Sequence, residues 1–128
     1  MNKTVELLKK SKVFFLATNE GNLPKVRPFG AVAEINGKVY LSTANNKDCF
    51  KQIIANPKVQ IAAMLDDWKW LRISGTLKSD PAQSSREEML KQFPLDIYKA
   101  DDGIFEVLYF TEGTVEIYDE DKVESFEL

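Results

Sequence analysis

Two adjacent residues, Asn36 and Gly37, constrain this chain more than any other pair. They stand between "AVAEI" and "KVYLST", two short runs of β-favouring residues. Asn-Gly suits a two-residue turn that needs positive φ at both positions, so the flanking runs form an antiparallel hairpin. The same arrangement recurs along the chain. "KVFFLATN" and "KVRPFGAVAEI" flank the turn signal "EGNLP", "KVQIAAML" and "WKWLRISGTLKS" flank "DD", and "GIFEVLYFT" and "TVEIYD" flank "EG". Tight connections of this kind join antiparallel strands, whereas a parallel sheet needs long crossovers. The sequence has no strand–helix–strand alternation of the sort that builds a doubly wound nucleotide fold.

Three helical patterns interrupt the strands. "MNKTVELLKK" opens one, capped by Asn2 or Thr4, with Val5, Leu7 and Leu8 as its apolar face. A second runs from about Lys47 to Ala55, where Phe50, Ile53 and Ile54 share a face, and Asn56-Pro57 ends it. The third, "PAQSSREEMLKQF", follows Asp80 as an acidic cap, with Pro81 at the first helical position and Gln83 at the third. "LDIYKADD" reads as a loop and the acidic "DEDKVESFEL" as a solvated end. "KVQIAAML" is apolar enough to read as a mostly buried strand. The expected fold is mainly β: one domain over residues 1–128, an antiparallel barrel of six to seven strands with flanking helices.

Composition excludes several chemistries. With no histidine, neither a Ser-His-Asp triad nor a histidine-ligated zinc site is available, and one cysteine allows no Cys-only zinc site or internal disulfide. No apolar run approaches the roughly 20 residues of a membrane span, and the N-terminus lacks a signal peptide's apolar stretch, so a cytoplasmic protein is expected. Charge is divided unevenly. Up to Lys58 there are ten Lys/Arg against four Asp/Glu; from Val59 onward there are seven against sixteen. The basic half either pairs with the acidic half or receives an anion. An overall charge of −3 and the lack of a basic, aromatic-interleaved stripe argue against nucleic acid.

Three groups of residues carry candidate chemistry. "STANNKDCFK" takes a strand into a helix without a glycine loop. Asn45 or Asn46 could cap that helix, with Asp48 answering its dipole. The same stretch offers helix-start amides, the hydroxyls of Ser42 and Thr43, and Lys47 and Lys51 one turn apart, a set suited to a phosphate monoester. "KVRPFG" breaks a strand with Pro28 and Gly30. That marks either an edge or bulge, or close approach of a flat ligand with Arg27 reaching an anion. Trp68, Trp70, Arg72 and Ser74 alternate onto one strand face, as core or interface aromatics or as contacts to a ring system. Cys49 lies in the first helical turn, where a thiolate could be favoured, but no histidine can act as its base and it reads as a small buried or half-buried residue.

Taken in order, "FFLATNEGNLPKVRPFGAVAEINGKVYLSTANNKDCFKQIIANPKVQIAAM" followed by "WLRISGTL" resembles the pyridoxamine 5'-phosphate oxidase-like, FMN-binding split-barrel proteins. The nearest branch is the small nitroimidazole-reductase-like and general-stress flavoproteins. The resemblance implies a cytoplasmic homodimer with FMN in clefts between subunits, acting on a small substrate through hydride or electron transfer at flavin N5. It assigns Arg27, Pro28, Phe29 and Gly30 to the ring and ribityl chain, and Ser42, Thr43, Asn46, Lys47 and Lys51 to the phosphate. Trp70 and Arg72 are implied near the flavin or across the dimer. The chain departs from the true oxidase at "NKDC", where that enzyme has a Ser-Arg-Lys cluster. It also lacks that enzyme's C-terminal Trp and Arg, which argues against vitamin B6 oxidation. A non-catalytic flavin-binding protein is the alternative.

Overall fold

Asn36 and Gly37 both adopt positive φ, 52° and 76°, and close the hairpin between β3 (Val32–Ile35) and β4 (Lys38–Ala44). The computed structural model describes residues 2–128. Its other elements are α1 (Lys3–Ser11), β1 (Phe14–Glu20), β2 (Leu23–Phe29), α2 (Asp48–Ala55), β5 (Lys58–Met64), β6 (Trp70–Asp80), α3 (Gln83–Gln92), β7 (Phe105–Asp119) and β8 (Lys122–Glu127). All strand pairs are antiparallel, in the order β2-β1-β5-β6-β7-β4-β3, with β8 added to β7. This is a split barrel: β2 and β3 are consecutive in the chain yet lie at opposite ends of the path.

Among the described residues the strand count is eight rather than six or seven, and the reasons are local. "KVRPFGAVAEI" is not one interrupted strand. It divides at Gly30-Ala31, where the chain leaves β1's edge and joins β4. Pro24 and Pro28 fall on β2, which among the described residues pairs with β1 alone; an edge strand tolerates missing donors. At the other end, "EG" is not a turn. β7 runs straight through Glu112-Gly113 and turns at Glu120, and "DEDKVESFEL" supplies β8 rather than a loose end.

Gly113 has a different reason to be glycine. It pairs directly with Gly75 of β6, one residue before the register shift at Thr76/Leu77. A Cβ on Gly75 would stand 2.6 Å from the Glu112 carbonyl oxygen and 2.8 Å from the Phe110 ring. The two glycines therefore let the long strands cross closely at the bulge.

Two cores result. Inside the barrel, Val5 and Leu8 of α1 meet Phe14, Leu16, Leu41, Ile61, Leu71, Ile73 and Leu108, all fully buried. Asn2 caps α1, accepting from Thr4 N–H (2.9 Å) and Val5 N–H (3.2 Å). Outside the barrel, α3 covers β3, β4 and the first half of β7, with Met89 against Ala33, Ile35, Tyr40, Phe105 and Val107. The outer face of β1, β2, β5 and β6 has no such cover. There β5 alternates rather than being mostly buried, and Phe15, Val26 and Met64 are exposed. Trp68 lies in a short 3₁₀ turn, not on β6, and is 88% exposed. Among the described residues no helix is long and apolar enough to cross a membrane.

Asp80 ends β6 and fastens α3. The helix starts at Gln83, two residues later than expected for an Asp80 cap, and no side chain caps it. Asp80 instead accepts from Ala82 N–H (3.0 Å), Ser85 Oγ (2.6 Å) and the buried Tyr40 hydroxyl (2.8 Å). Burial, with the hydrogen bond and charge of Asp80, pushes Tyr40 up to about 12. At Asp80 burial opposes ionisation, but the donors from Ser85, Ala82 and Tyr40 outweigh it and hold the carboxyl below its ordinary value.

Two outcomes are expected. Gly75→Ala should lower the free energy of unfolding by about 1–3 kcal/mol in urea titrations, because backbone and ring must move to admit the methyl. Asp80's lowered folded value contributes stability that is present above its unfolded value of about 3.9 and lost as pH falls through the folded value. Asp80→Asn should therefore be less stable at neutral pH and show a flatter acid limb when urea midpoints are measured against pH.

Candidate functional site

The seam between β2 and β3 opens onto a cleft of about 350 Å³. Its first wall is the run Arg27–Ala31, its second the end of β4 at Ser42 and Thr43, its third the start of α2 at Lys47 and Cys49. The fourth comes from the loop after α3, where Phe93, Leu95, Ile97 and Tyr98 stand in front of Phe105. A larger groove of about 520 Å³ lies over Asn19, Gln60, Ser74, Thr76 and Glu112. Its polar groups largely satisfy one another, Gln60 donating to Ser74 (3.1 Å) and Thr76 to Glu112 (3.2 Å). The seam cleft is the better candidate because its polar groups do not.

Ser42 and Thr43 are only 7% and 8% exposed, yet neither hydroxyl has a hydrogen-bond partner among the described residues, and neither is sealed from the cleft. Arg27 is half-buried. Its Nη1 donates to Leu16 O (3.2 Å) and Thr18 Oγ1 (2.7 Å), and its Nη2 to Gln52 Oε1 (2.8 Å). All three acceptors are neutral, and neither Arg27 nor Lys47 forms an ion pair among the described residues. Lys47 is the N-cap of α2 but makes no side-chain capping bond. Asn45, an expected cap, turns away to Gly103 O and Glu106, both at 2.9 Å. Hydroxyls, cations and uncapped amides thus meet at one pole, and such a set attracts an anion.

The other pole is apolar. Phe29, Phe93, Leu95, Tyr98 and Phe105 form it, and Tyr98 and Phe105 pack with ring centroids 5.3 Å apart. Asp102 pins the base of this loop by accepting from Lys99, Ile104 and Phe105 N–H at 3.0, 2.8 and 2.8 Å, and those donors hold its carboxyl below the ordinary value. Arg86 of α3 adds a bond to Ala100 O (2.7 Å).

Of the residues singled out from sequence, the cleft gathers Arg27, Pro28, Phe29, Gly30, Ser42, Thr43 and Lys47. Asn46 and Lys51 sit exposed beside it at the start of α2 and do not line it. Trp70 and Arg72 are elsewhere, on the uncovered outer face. Trp70 stacks on Tyr118 at 4.3 Å and 9°, and the Arg72 guanidinium lies 5.1 and 5.5 Å from the two rings. Thr18, Gln52, Tyr98 and Phe105 were not read from sequence. Gln52 had a signal: α2 buries Cys49, Gln52 and Ile53, whereas Ile54, assigned to the apolar face, is 57% exposed. A polar residue held in a helix's buried stripe marks a hydrogen-bonded network. No group of three or more His, Cys, Asp or Glu side chains suited to a metal ion occurs among the described residues.

Cys49 is buried between Arg27 and Lys47. Burial pushes its thiol above the ordinary value of 9.0, and the two cations only partly oppose this. Iodoacetamide should therefore alkylate Cys49 more slowly in the native protein than in urea, with a pH–rate midpoint above 9 in the native state. A native rate equal to the unfolded one would contradict the buried placement.

The fold and the cleft together define a split-barrel protein. The family model for pyridoxamine 5'-phosphate oxidase matches residues 1–107. The chain is 47% identical to a NimC/NimA family protein of Clostridium acetobutylicum, over 98% of this chain and 91% of that one, with a TM-score of 0.94. A protein related to general stress protein 26 from the same organism is 23% identical over 98% and 92%, TM-score 0.73. A pyridoxamine 5'-phosphate oxidase-related, FMN-binding protein of Nostoc punctiforme shares the fold at 12% identity over 92% and 87%, TM-score 0.61. No protein of curated function matches. The chain belongs to the pyridoxamine 5'-phosphate oxidase family.

Proposed function

We propose that this chain is a cytoplasmic FMN-binding oxidoreductase, a single domain that works as a homodimer on a small-molecule substrate. The observation that carries the reading is the two-pole cleft. At one end Ser42 and Thr43 keep unpartnered hydroxyls, and Arg27 and Lys47 keep unpaired charges. At the other, aromatic and aliphatic side chains offer a dry wall. FMN has the matching poles, a dianionic phosphate and a flat ring system, so the residues fit it.

Bound FMN would supply the redox chemistry, accepting and donating hydride or electrons at its ring. The chain's own part is to hold and to exclude water. Ser42, Thr43, Lys47 and the first amides of α2 bind the phosphate, with Asn46 and Lys51 adding to the field from the rim. Pro28, Phe29 and Gly30 bound the ring side, and Phe93, Leu95 and Tyr98 keep water from it. The uncovered outer face completes the reading. Register sets Pro28, Phe15, Ala62 and Arg72 side by side, next to the Met64–Trp70–Tyr118 row. Phe15, Val26 and Met64 are about half exposed or more there, a patch suited to a second copy of the chain. Trp70 and Arg72 would then approach the partner's cleft.

One observation favours a non-catalytic flavin carrier. Burial shifts the thiol of Cys49, which lines the cleft, away from reactivity. Nicotinamide donors with small electron acceptors separate the two: turnover supports the oxidoreductase, and a flavin that stays oxidised with every donor supports the carrier.

The purified protein should show the visible absorption bands of flavin and sediment as a dimer; a colourless protein that takes up no added FMN would overturn the reading. Lys47→Ala should weaken FMN binding about tenfold, the equivalent of one charge-assisted contact. Lys51→Ala, outside the cleft, should cost less, and the double variant should exceed either. Unchanged affinity in a flavin fluorescence titration would remove both lysines from the phosphate site.

A further inference from the structure

We infer that Gln52, together with Thr18, is a positioning residue that holds Arg27 as an uncompensated cation toward the cofactor's phosphate. The inference rests on the flavin reading above. Arg27 has five N–H donors, of which three are taken by Leu16 O, Thr18 Oγ1 and Gln52 Oε1. The Nε–H and one Nη2–H have no acceptor among the described residues, and the side chain lines the cleft with Lys47 and Cys49.

The hydrogen-bond directions around Gln52 are mutually fixed. The Thr18 hydroxyl donates to Gln52 Oε1 (2.5 Å), so toward Arg27 it can only accept. Gln52 Nε2 donates to Glu20 (3.2 Å), which orients the amide oxygen toward the guanidinium. The opposite orientation would set an NH₂ against a cation. Gln52 and Thr18 are 7% and 2% exposed, so packing holds both acceptors in place.

The chemical point lies in what Gln52 is not. A glutamate at this position would reach the same Arg27 and Thr18 donors, but it would cancel the guanidinium charge and set a second carboxylate against Glu20 where the amide N–H now donates. An amide fixes the guanidinium and leaves its charge for a ligand. A half-buried arginine with neutral acceptors only, lining one cleft with the hydroxyl residues Ser42 and Thr43, is arranged to receive an anion.

The test compares FMN with riboflavin, which carries the same ring and no phosphate, by titrating each into protein stripped of flavin. Gln52→Glu should lower FMN affinity about tenfold or more and leave riboflavin affinity within about twofold, because only the phosphate meets the neutralised charge. Gln52→Met, similar in size but with no acceptor, should lower FMN affinity by about threefold to fivefold, again sparing riboflavin. Thermal unfolding of each variant checks the fold, and the methionine variant carries the test if the glutamate one does not fold. An FMN-to-riboflavin ratio equal to the wild type's in the folded variants overturns the inference alone. Wild-type protein that binds neither flavin overturns the flavin reading, and the inference with it.

Discussion

The close crossing of β6 and β7 is the constraint on which the rest of this barrel depends. β7 pairs with β4 and β6 along its first half and with β6 and β8 along its second. It can do so only because Gly75 and Gly113 let the strands pass with no side chain between them, beside a one-residue register shift. The shift changes which face of β7 looks inward. Before it, Phe105 and Val107 lie under α3; after it, Val115 points into the barrel. Without that change the alternation that puts Leu108 and Phe110 inside would carry on to Thr114 and Glu116, and polar side chains would face the interior in place of Val115.

The crossing also explains what could and could not be read from the sequence. Antiparallel pairing was legible, since Asn36-Gly37 admits little else. The division of "KVRPFGAVAEI" was not, because Gly30 marks a change of partner strand rather than a bulge within one, and local propensity does not distinguish the two. Glu112-Gly113 resembled a turn for a similar reason: glycine's signature is the same whether it serves backbone conformation or close approach. The missing β8 followed from that error, since its residues are nearly all exposed and their composition resembles a tail.

The candidate site was legible where it lies on continuous stretches, in "RPFG" and "STANNK". It was not legible where the fold brings distant residues together. Gln52, Thr18 and Arg27 stand on a helix and two strands, and only the buried hydrogen bonds join them. The apolar wall comes from the loop after α3, whose sequence shows no periodicity. Its role follows from the Asp80–Tyr40–Ser85 clamp, which sets where α3 begins and hence where Phe93 and Tyr98 arrive.

The free edges of β2 and β3 give the barrel a directional compliance. Around β5, β6 and β7 any change of curvature must stretch a ladder of paired amides. Across the seam there is no ladder to stretch, and prolines at 24 and 28 leave β2 with fewer donors to form one. Widening the cleft therefore works against side-chain contacts and the Arg27 network alone. The barrel is stiff where its core is packed and softest along the seam that opens onto the cleft.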